Sequence, residues 1–481
     1  MKISEHFNLN KSQYELDFVN IDTNADLPLF LDPYFLSIRN DSWSIQASRT
    51  IRSFFSHFIT LVRNNMLTEA QELFSHLHEP NETCLGMSSS CPAGRGIGTQ
   101  DASDIFESII ESRAIITGVV EHIEDTRIFV ENIGKDKISD MTTNIIRKNL
   151  IEYTKNQCKL HGIPLTEQVP TGDIWDKVNL RWINQYDELL IINSKKILLV
   201  PKAIVSYSKK YTPEYYLQHF VLNFLQNEYL RLNSALVQTK RLKDGTEKKF
   251  VTKKSIRENT SFTKEYLKNF TLNHPNIFAD FRENVSDEID EIAQEEFAYD
   301  ELNNVIEHLI IRLSSISTGG SDATTYHKTV VGILELIFYP YLVTPIVENE
   351  IHDGRKRIDI SFDNASEDGF FYRLSTVYNI PSQFIFVECK NYSREIANPE
   401  LDQIAGRFSP NRGKFGFITC RTIDDFERFL DRCADTYADD RGLIIPVVDN
   451  DLIYLLNEIK SNRRESIEAF LMERYRRIGL S

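Results

Sequence analysis

The chain has 481 residues, which is too long for one ordinary hydrophobic core. Its formal net charge of −15 argues against a protein whose whole surface is basic. Six cysteines are too few for a disulfide framework, no apolar run approaches the ~20 residues that span a bilayer, and the N-terminus lacks a signal-peptide pattern. We therefore expect a cytoplasmic protein of two or three domains with no membrane partner.

Residues 1–165 are predicted to form a mostly helical N-terminal domain. From Ser44 to about His78, apolar residues recur at three- and four-residue spacing, which is typical of one buried helix face. The segment RIFVENIG at 127–134 predicts a strand, and another helix is expected from near Asp140. Together with the segment that follows it, this part of the chain is expected to be an α+β region.

Residues 166–316 are predicted to be a mixed α/β middle region. The two apolar runs in DELLIINSKKILLVPKAIV, separated by NSKK, predict a hairpin. A Lys-rich hairpin follows at Lys240–Arg257, and then an acidic segment that predicts a helix. A charge run is usually a solvated face, but in so acidic a chain a local basic run is where a polyanion would dock. The Ser/Thr/Gly-rich segment 317–325 is the expected domain boundary.

Residues 326–481 read as helices alternating with apolar strands, which predicts an α/β domain with a central mixed sheet flanked by helices. TVVGILELIFYP is the first helix, and strands are expected near 345–352, 356–362 and 384–390. The helix PELDQIAGRF and the apolar strand FGFITC come next.

Two of these strands bring charged side chains to one place. Residues two apart on a strand face the same way, so Glu388 and Lys390 share a face in FIFVECK, and Arg357 and Asp359 share one in GRKRIDI. Two convergent carboxylates can hold Mg²⁺, which prefers oxygen ligands, and a metal so held can activate water and offset charge on a phosphate. The alternative to a metal site is a set of surface salt bridges, which are common and contribute little to stability.

These residues resemble the motif of the PD-(D/E)xK nuclease superfamily, the restriction-endonuclease-like fold. The matching positions are Glu335 in LELIFYP, Asp359, Glu388, Lys390 and Gln403 in LDQIAGR, in the superfamily's order and on elements of the expected type. Among its members the chain looks closest to the Mrr-like type IV restriction endonucleases and related anti-phage nucleases. The resemblance covers the last third of the chain. The long interval between Asp359 and Glu388 departs from the pattern and predicts an inserted loop or hairpin.

The resemblance implies a role for each matching residue. Asp359 and Glu388 would bind Mg²⁺, with Mn²⁺ as a substitute, and Lys390 would lie beside the attacking water. Glu335 would be an accessory ligand acting through water, and Gln403 would orient the site or touch a phosphate.

Four basic side chains are candidates for binding the substrate. Arg407 lies four residues after Gln403 on the same helical face, so it could hold the nucleic-acid backbone. Arg355, Lys356 and Arg357 could contact phosphates without reading sequence, or they could be an ordinary basic hairpin face.

The resemblance further implies a Mg²⁺-dependent nuclease, with DNA favoured over RNA as substrate, in prokaryotic defence against phage or foreign DNA. A homo-oligomer is expected because cutting both strands of a duplex usually takes two active sites, and a further partner subunit is compatible with the sequence. Two alternatives stay open: a ribonuclease of the same fold, and a nuclease-like scaffold without catalysis.

A zinc site is a further alternative, with Cys84, Cys91, Cys158 and His161 as its ligands. The spacing between the first two cysteines is wide for zinc, and the two pairs are far apart in sequence. Buried free cysteines are the commoner explanation.

Overall fold

The computed structural model describes residues 1–86, 99–206, 211–241, 246–286, 301–347, 360–392 and 396–480. Two hydrophobic cores organise them. The first is built from residues between Ile3 and Val285, and we call this part the N-terminal module. The second is built from residues between Val305 and Ile478, together with Tyr14 and Leu160, and we call this part the C-terminal module. The core of the N-terminal module includes residues on both sides of residue 165, such as Ile163 and Ile174. The domain boundary expected at residue 165 stays a prediction.

The N-terminal module is mainly helical. Its helices are α1 Ile3–His6, α2 Pro33–Ile38, α3 Ser42–Arg63, α4 Leu67–Phe74, α5 Thr99–Ser112, α6 Asp125–Phe129, α7 Lys135–Ile145, α8 Arg147–His161, α9 Pro213–Tyr216, α10 Leu222–Arg231, α11 Lys253–Asn259, α12 Lys264–Asn273 and α13 Pro275–Ser286. Its strands are β1 Phe30–Leu31, β2 Thr166–Asp176, β3 Arg181–Ile192, β4 Lys195–Ile197, β5 Val205–Ser206, β6 Gln238–Arg241 and β7 Glu247–Phe250. Strands β3 and β4 form the predicted hairpin around Asn193 and Ser194.

Two predictions for the N-terminal module were wrong in detail. The helix expected over 44–78 is divided into α3 and α4, because Asn65 takes a positive φ of 61° after α3 ends. The strand expected over 127–134 is partly helix α6. There the buried Asp125 carboxylate accepts hydrogen bonds from the backbone N–H groups of Glu121 and His122, and it also pairs with Arg282. These contacts stabilise α6 as a helix. From the sequence alone, a short apolar run is compatible with either a helix or a strand.

The C-terminal module combines a five-stranded mixed sheet with flanking helices. Its helices are α14 Leu302–Ser315, α15 Ala323–Phe338, α16 Gly369–Thr376, α17 Asn398–Ala405, α18 Phe426–Ala438, α19 Asp449–Lys460 and α20 Glu465–Gly479. Its strands are β8 Leu342–Val347, β9 Ile360–Asn364, β10 Phe384–Lys390, β11 Phe415–Cys420 and β12 Leu443–Val448. The element order and the mixed sheet agree with the α/β arrangement expected from the sequence.

Strand β10 is the central strand of the sheet, whose order is β12-β11-β10-β9-β8. It pairs in parallel with β11 and antiparallel with β9. The interval between β9 and β10 contains helix α16, whose Phe370, Phe371 and Leu374 are buried, in place of the loop or hairpin that was expected. No helix in the described ranges is long and apolar enough to cross a membrane.

Helices cover both faces of this sheet. Gly416 of β11 faces α17, since a Cβ there would lie 2.8 Å from the Ile404 Cδ1 atom. The next residue, Phe417, faces the other way and stacks on Phe338 of α15, with ring centroids 5.3 Å apart. Successive strand residues point to opposite faces, so α15 and α17 lie on opposite faces of the sheet.

Candidate functional site

Glu388 and Lys390 lie on the α17 face of the central strand. Phe386 is the register partner of Gly416, and its ring is 5.8 Å from that of Phe408, just after α17. The two-residue period then places Glu388 and Lys390 on the same face as Phe386. Both are almost completely buried, at 1% and 2% exposure. The sequence prediction that these two residues share a face is confirmed by this register.

The Glu388 carboxylate is surrounded by cationic groups. The Lys390 Nζ donates a hydrogen bond to the Glu388 Oε1, and the Arg407 Nη1 lies 3.6 Å from the Oε2. Lys390 also donates to the Gln403 Oε1, at 3.0 Å. Taking a charged pair out of water costs several kcal/mol per ion, which only good geometry and further hydrogen bonds offset. The structure therefore brings together four predicted site residues: Glu388, Lys390, Gln403 and Arg407.

The close approach of α17 to the sheet positions Gln403 over Lys390. At Gly416, a Cβ would lie 2.8 Å from the Phe386 carbonyl oxygen as well as from Ile404. A side chain at this position would therefore push α17 away from β10. Cys389, between the two charged residues, faces the other side of the strand, and burial raises the pKa of its thiol to about 12. Its thiol stays protonated at neutral pH and is not a candidate nucleophile.

The carboxyl end of β10 is tied to the segment between α14 and α15, within the C-terminal module. Asn391, directly after Lys390, donates hydrogen bonds from its Nδ2 to the carbonyl oxygens of Ser317 and Gly319, each at 2.9 Å. Arg421, after β11, donates to the Ile316 carbonyl oxygen at 2.8 Å and pairs with Asp449. These residues were missed by the sequence analysis. The signal for Asn391 and Arg421 was a polar residue just beyond each of two adjacent apolar strands.

The remaining predicted residues of the basic strand, Asp359, Arg355, Lys356 and Arg357, lie outside the described residues. The first described residue after them is Ile360, which pairs with Val387 in the antiparallel ladder between β9 and β10. Their predicted roles stay predictions.

The structure does not bring Glu335 to Glu388. Glu335 lies on α15, on the other face of the sheet, and its Oε2 is 3.4 Å from the Nζ of Lys202, a residue of the N-terminal module. Asp17 adds a second buried carboxylate near this ammonium. It accepts hydrogen bonds from the Tyr153 hydroxyl at 2.6 Å and the Thr344 backbone N–H at 2.9 Å. We call these five residues the intermodule cluster.

Burial dominates the electrostatics of the intermodule cluster. It raises the pKa of Glu335 to about 8, and Lys202 offsets this only in part. It also lowers the pKa of Lys202, against the opposing effect of Glu335 and Asp17. Both effects have one cause, the loss of water around a charged group. Glu335, which was predicted to be an accessory metal ligand, therefore forms a contact between the two modules through Lys202.

Two further observations concern metals. In the described part of the chain, no group of three or more His, Cys, Asp and Glu side chains could hold an ion. Of the alternative zinc ligands, Cys91 lies outside the described residues, and Cys84 and Cys158 are buried. Burial raises the pKa of Cys158 to about 12, which disfavours the thiolate that zinc requires. Glu388 is a buried carboxylate beside the cationic side chains of Lys390 and Arg407.

Comparison with known proteins bears only on the N-terminal module. Residues 8–212 match a family described as a domain of unknown function, DUF8370. This match covers less than half of the chain and ends well before β10. No curated protein and no solved structure matches the chain.

Proposed function

We propose that the C-terminal module is a Mg²⁺-dependent nuclease that hydrolyses phosphodiester bonds of DNA. The observation that carries this proposal is the buried Glu388–Lys390 pair on the central strand, with Gln403 and Arg407 supplied by the following helix and its end. The order of elements around it, which is α15, β8, β9, α16, β10, α17 and β11, supports the proposal of a restriction-endonuclease-like fold with α16 as an insertion.

The chemistry of the donor set fits a hard cation. Glu388 offers a buried carboxylate, and Asp359 is the second carboxylate implied by the resemblance to the PD-(D/E)xK superfamily. When bound there, Mg²⁺ or Mn²⁺ would lower the pKa of a water and offset the charge on a phosphate.

The neighbouring side chains have distinct tasks in this proposal. Lys390, as an ammonium, stabilises negative charge on the phosphate under attack. Gln403 accepts a hydrogen bond from Lys390 and so fixes the direction of the ammonium. Arg407 is partly exposed and presents a second cation to the substrate backbone.

The biological role follows from the resemblance. We infer a prokaryotic defence nuclease that acts on phage or foreign DNA, as a homo-oligomer, with the N-terminal module sensing the target or mediating assembly. The contact of Lys202, in the N-terminal module, with Glu335, in the C-terminal module, supports a physical connection between such sensing and the nuclease module.

The test is cleavage by the purified full chain, with and without Mg²⁺, on supercoiled plasmid, linear phage DNA and RNA. Glu388→Gln should abolish metal-dependent cutting of DNA. Glu427→Gln is the matched control, because Glu427 is exposed and pairs with Arg477 at the surface of the same module. Cutting of RNA alone would establish the ribonuclease alternative. An intact protein that cuts no substrate and binds no Mn²⁺ would favour the scaffold.

A further inference from the structure

Positive charge is concentrated on the ribbon formed by β6 and β7. The eight residues of the two strands carry four basic side chains and one acidic side chain, a net charge of +3 in a chain of −15. All four residues of β6 and the first three of β7 are exposed. The two strands pair with each other and with no other described strand.

The register of this ribbon places one pair of like charges and one pair of opposite charges across from each other. Lys240 is directly across from Lys248, and Arg241 is across from Glu247, the one acidic residue of the two strands. Like charges at opposite positions of an antiparallel pair are destabilising, and a two-stranded ribbon is marginal to begin with. The ribbon is held at its base, where Lys249 donates to the Asn233 side chain at 3.0 Å and Val251 enters the core of the N-terminal module. The repulsion between its lysines is thus retained in the free protein.

Basic residues around the ribbon form ion pairs with acidic residues, whereas within the described ranges those on its two strands form none at ion-pair distance. Arg257 pairs with Glu214 at 2.7 Å, Arg231 with Glu228 at 2.6 Å, and Lys254 lies 3.8 Å from Glu258. Among the described residues, no carboxylate forms an ion pair with any of the four basic side chains of the two strands, which are Lys240, Arg241, Lys248 and Lys249. In a chain with an excess of acids, four neighbouring cations without such a partner indicate a surface for an external polyanion.

We propose that this ribbon binds the phosphate backbone of the nucleic acid on which the nuclease acts. The inference rests on the proposed function for the choice of polyanion. A two-stranded antiparallel ribbon has the width of the DNA major groove, and lysine and arginine side chains neutralise phosphates in exchange for released counterions. Phe250 is the only aromatic side chain on the two strands, so the contacts are with the backbone and not by stacking on bases.

The experiment measures binding without cleavage. The full chain is titrated into a fluorescent 30-base-pair DNA duplex, and separately into RNA, in EDTA, at several NaCl concentrations. The ribbon variant carries Lys240→Gln, Arg241→Gln, Lys248→Gln and Lys249→Gln. The control variant removes the same number of charges from paired positions outside the Lys240–Arg257 run, with Lys155→Gln, Arg231→Gln, Lys460→Gln and Arg477→Gln.

The ribbon variant should bind about ten-fold or more weakly, and its plot of log affinity against log salt should be shallower by about 3 to 4, since each phosphate contact contributes a slope of roughly 0.9. The control variant should bind as the unmodified chain does. Equal losses in both variants, or no loss in the ribbon variant, would overturn the inference. Binding to phosphatidylserine-containing vesicles in place of either nucleic acid, or no binding by the unmodified chain, would do so as well.

The same proteins separate this inference from the proposed function. If the unmodified chain binds DNA through the ribbon in EDTA yet cuts nothing with Mg²⁺, the nuclease proposal fails and the ribbon stands. If the ribbon variant binds and cuts as well as the unmodified chain, the ribbon inference fails and the nuclease proposal stands.

Discussion

Replacing Lys202 with methionine tests whether the intermodule cluster holds the two modules together. The Lys202 side chain is completely buried, 3.4 Å from the Glu335 carboxylate and 4.4 Å from the centre of the Tyr339 ring. Lys202→Met keeps the length of the side chain and removes the ammonium, which leaves Glu335 and Asp17 without their shared cation. Breaking a buried pair by removing one partner costs about 3–5 kcal/mol. We expect a loss of this size in the free energy of unfolding measured by urea titration.

A double variant separates the missing charge from the altered packing. Lys202→Met combined with Glu335→Leu removes both members of the pair, and such replacements are often neutral or stabilising. Asp17 keeps its hydrogen bonds from Tyr153 and Thr344. The double variant should therefore recover most of the stability that the single variant loses.

The matched control is Lys254→Met, because the Lys254 side chain is 85% exposed and its pair with Glu258 spans one helical turn. Such exposed pairs are worth only about 0.3–0.5 kcal/mol. If Lys202→Met costs no more than this control, or if the double variant is less stable than the single one, the reasoning is refuted.

Three further predictions concern single side chains. Burial, together with the nearby Asp41, raises the pKa of Asp363 to about 8. In the folded protein this carboxyl therefore holds a proton that the unfolded chain releases near pH 4. The contribution of Asp363 to stability is complete at low pH and is lost as the pH rises through about 8. Asp363→Asn should flatten this loss by up to about 1.4 kcal/mol per pH unit in urea titrations at pH 5 to 8, and an unchanged slope would contradict it. Gly416→Ala should lower the free energy of unfolding by about 1–3 kcal/mol and reduce cleavage, because the added Cβ displaces α17. At Gly134 a Cβ meets no atom within 4 Å, so Gly134→Ala should change neither stability nor cleavage. Equal stability of the two variants would count against the packing argument. Gln403→Ala should slow cleavage less than loss of Lys390 does, and an equal effect would mean that Gln403 does more than orient the ammonium.

The part of the site that the sequence predicted depends on local rules. The period of two along FIFVECK is a property of any strand, so it placed Glu388 and Lys390 on one face before the structure was known. The expectation that Arg407 continues the helical face of Gln403 was wrong, because α17 ends at Ala405 and Arg407 approaches Glu388 from the turn that follows. The register between β10 and β11 then determined which helix meets that face, and this depends on packing around Gly416.

The part that the sequence did not predict depends on distant pairs. Glu335 meets Lys202, which is 133 residues away in the chain, and no local pattern connects the two. The run KILLVPKAIV reads as an apolar strand interrupted by a charge, and only the folded protein shows that this charge is buried between modules. Helix α16 was missed because its eight residues offer too short a period to distinguish a helix from a loop.

The central claim is that Lys390 and Glu388 form a nuclease site, and single-turnover cleavage of supercoiled plasmid with Mg²⁺ tests it most directly. Lys390→Met should lower the cleavage rate by at least about 100-fold, the usual effect of losing a group that stabilises charge in the transition state. Lys460→Met, which removes a surface lysine paired with Glu307, should leave the rate unchanged. Equal rates for Lys390→Met and the unmodified chain, or no cutting by the unmodified chain of any DNA or RNA, would contradict the claim.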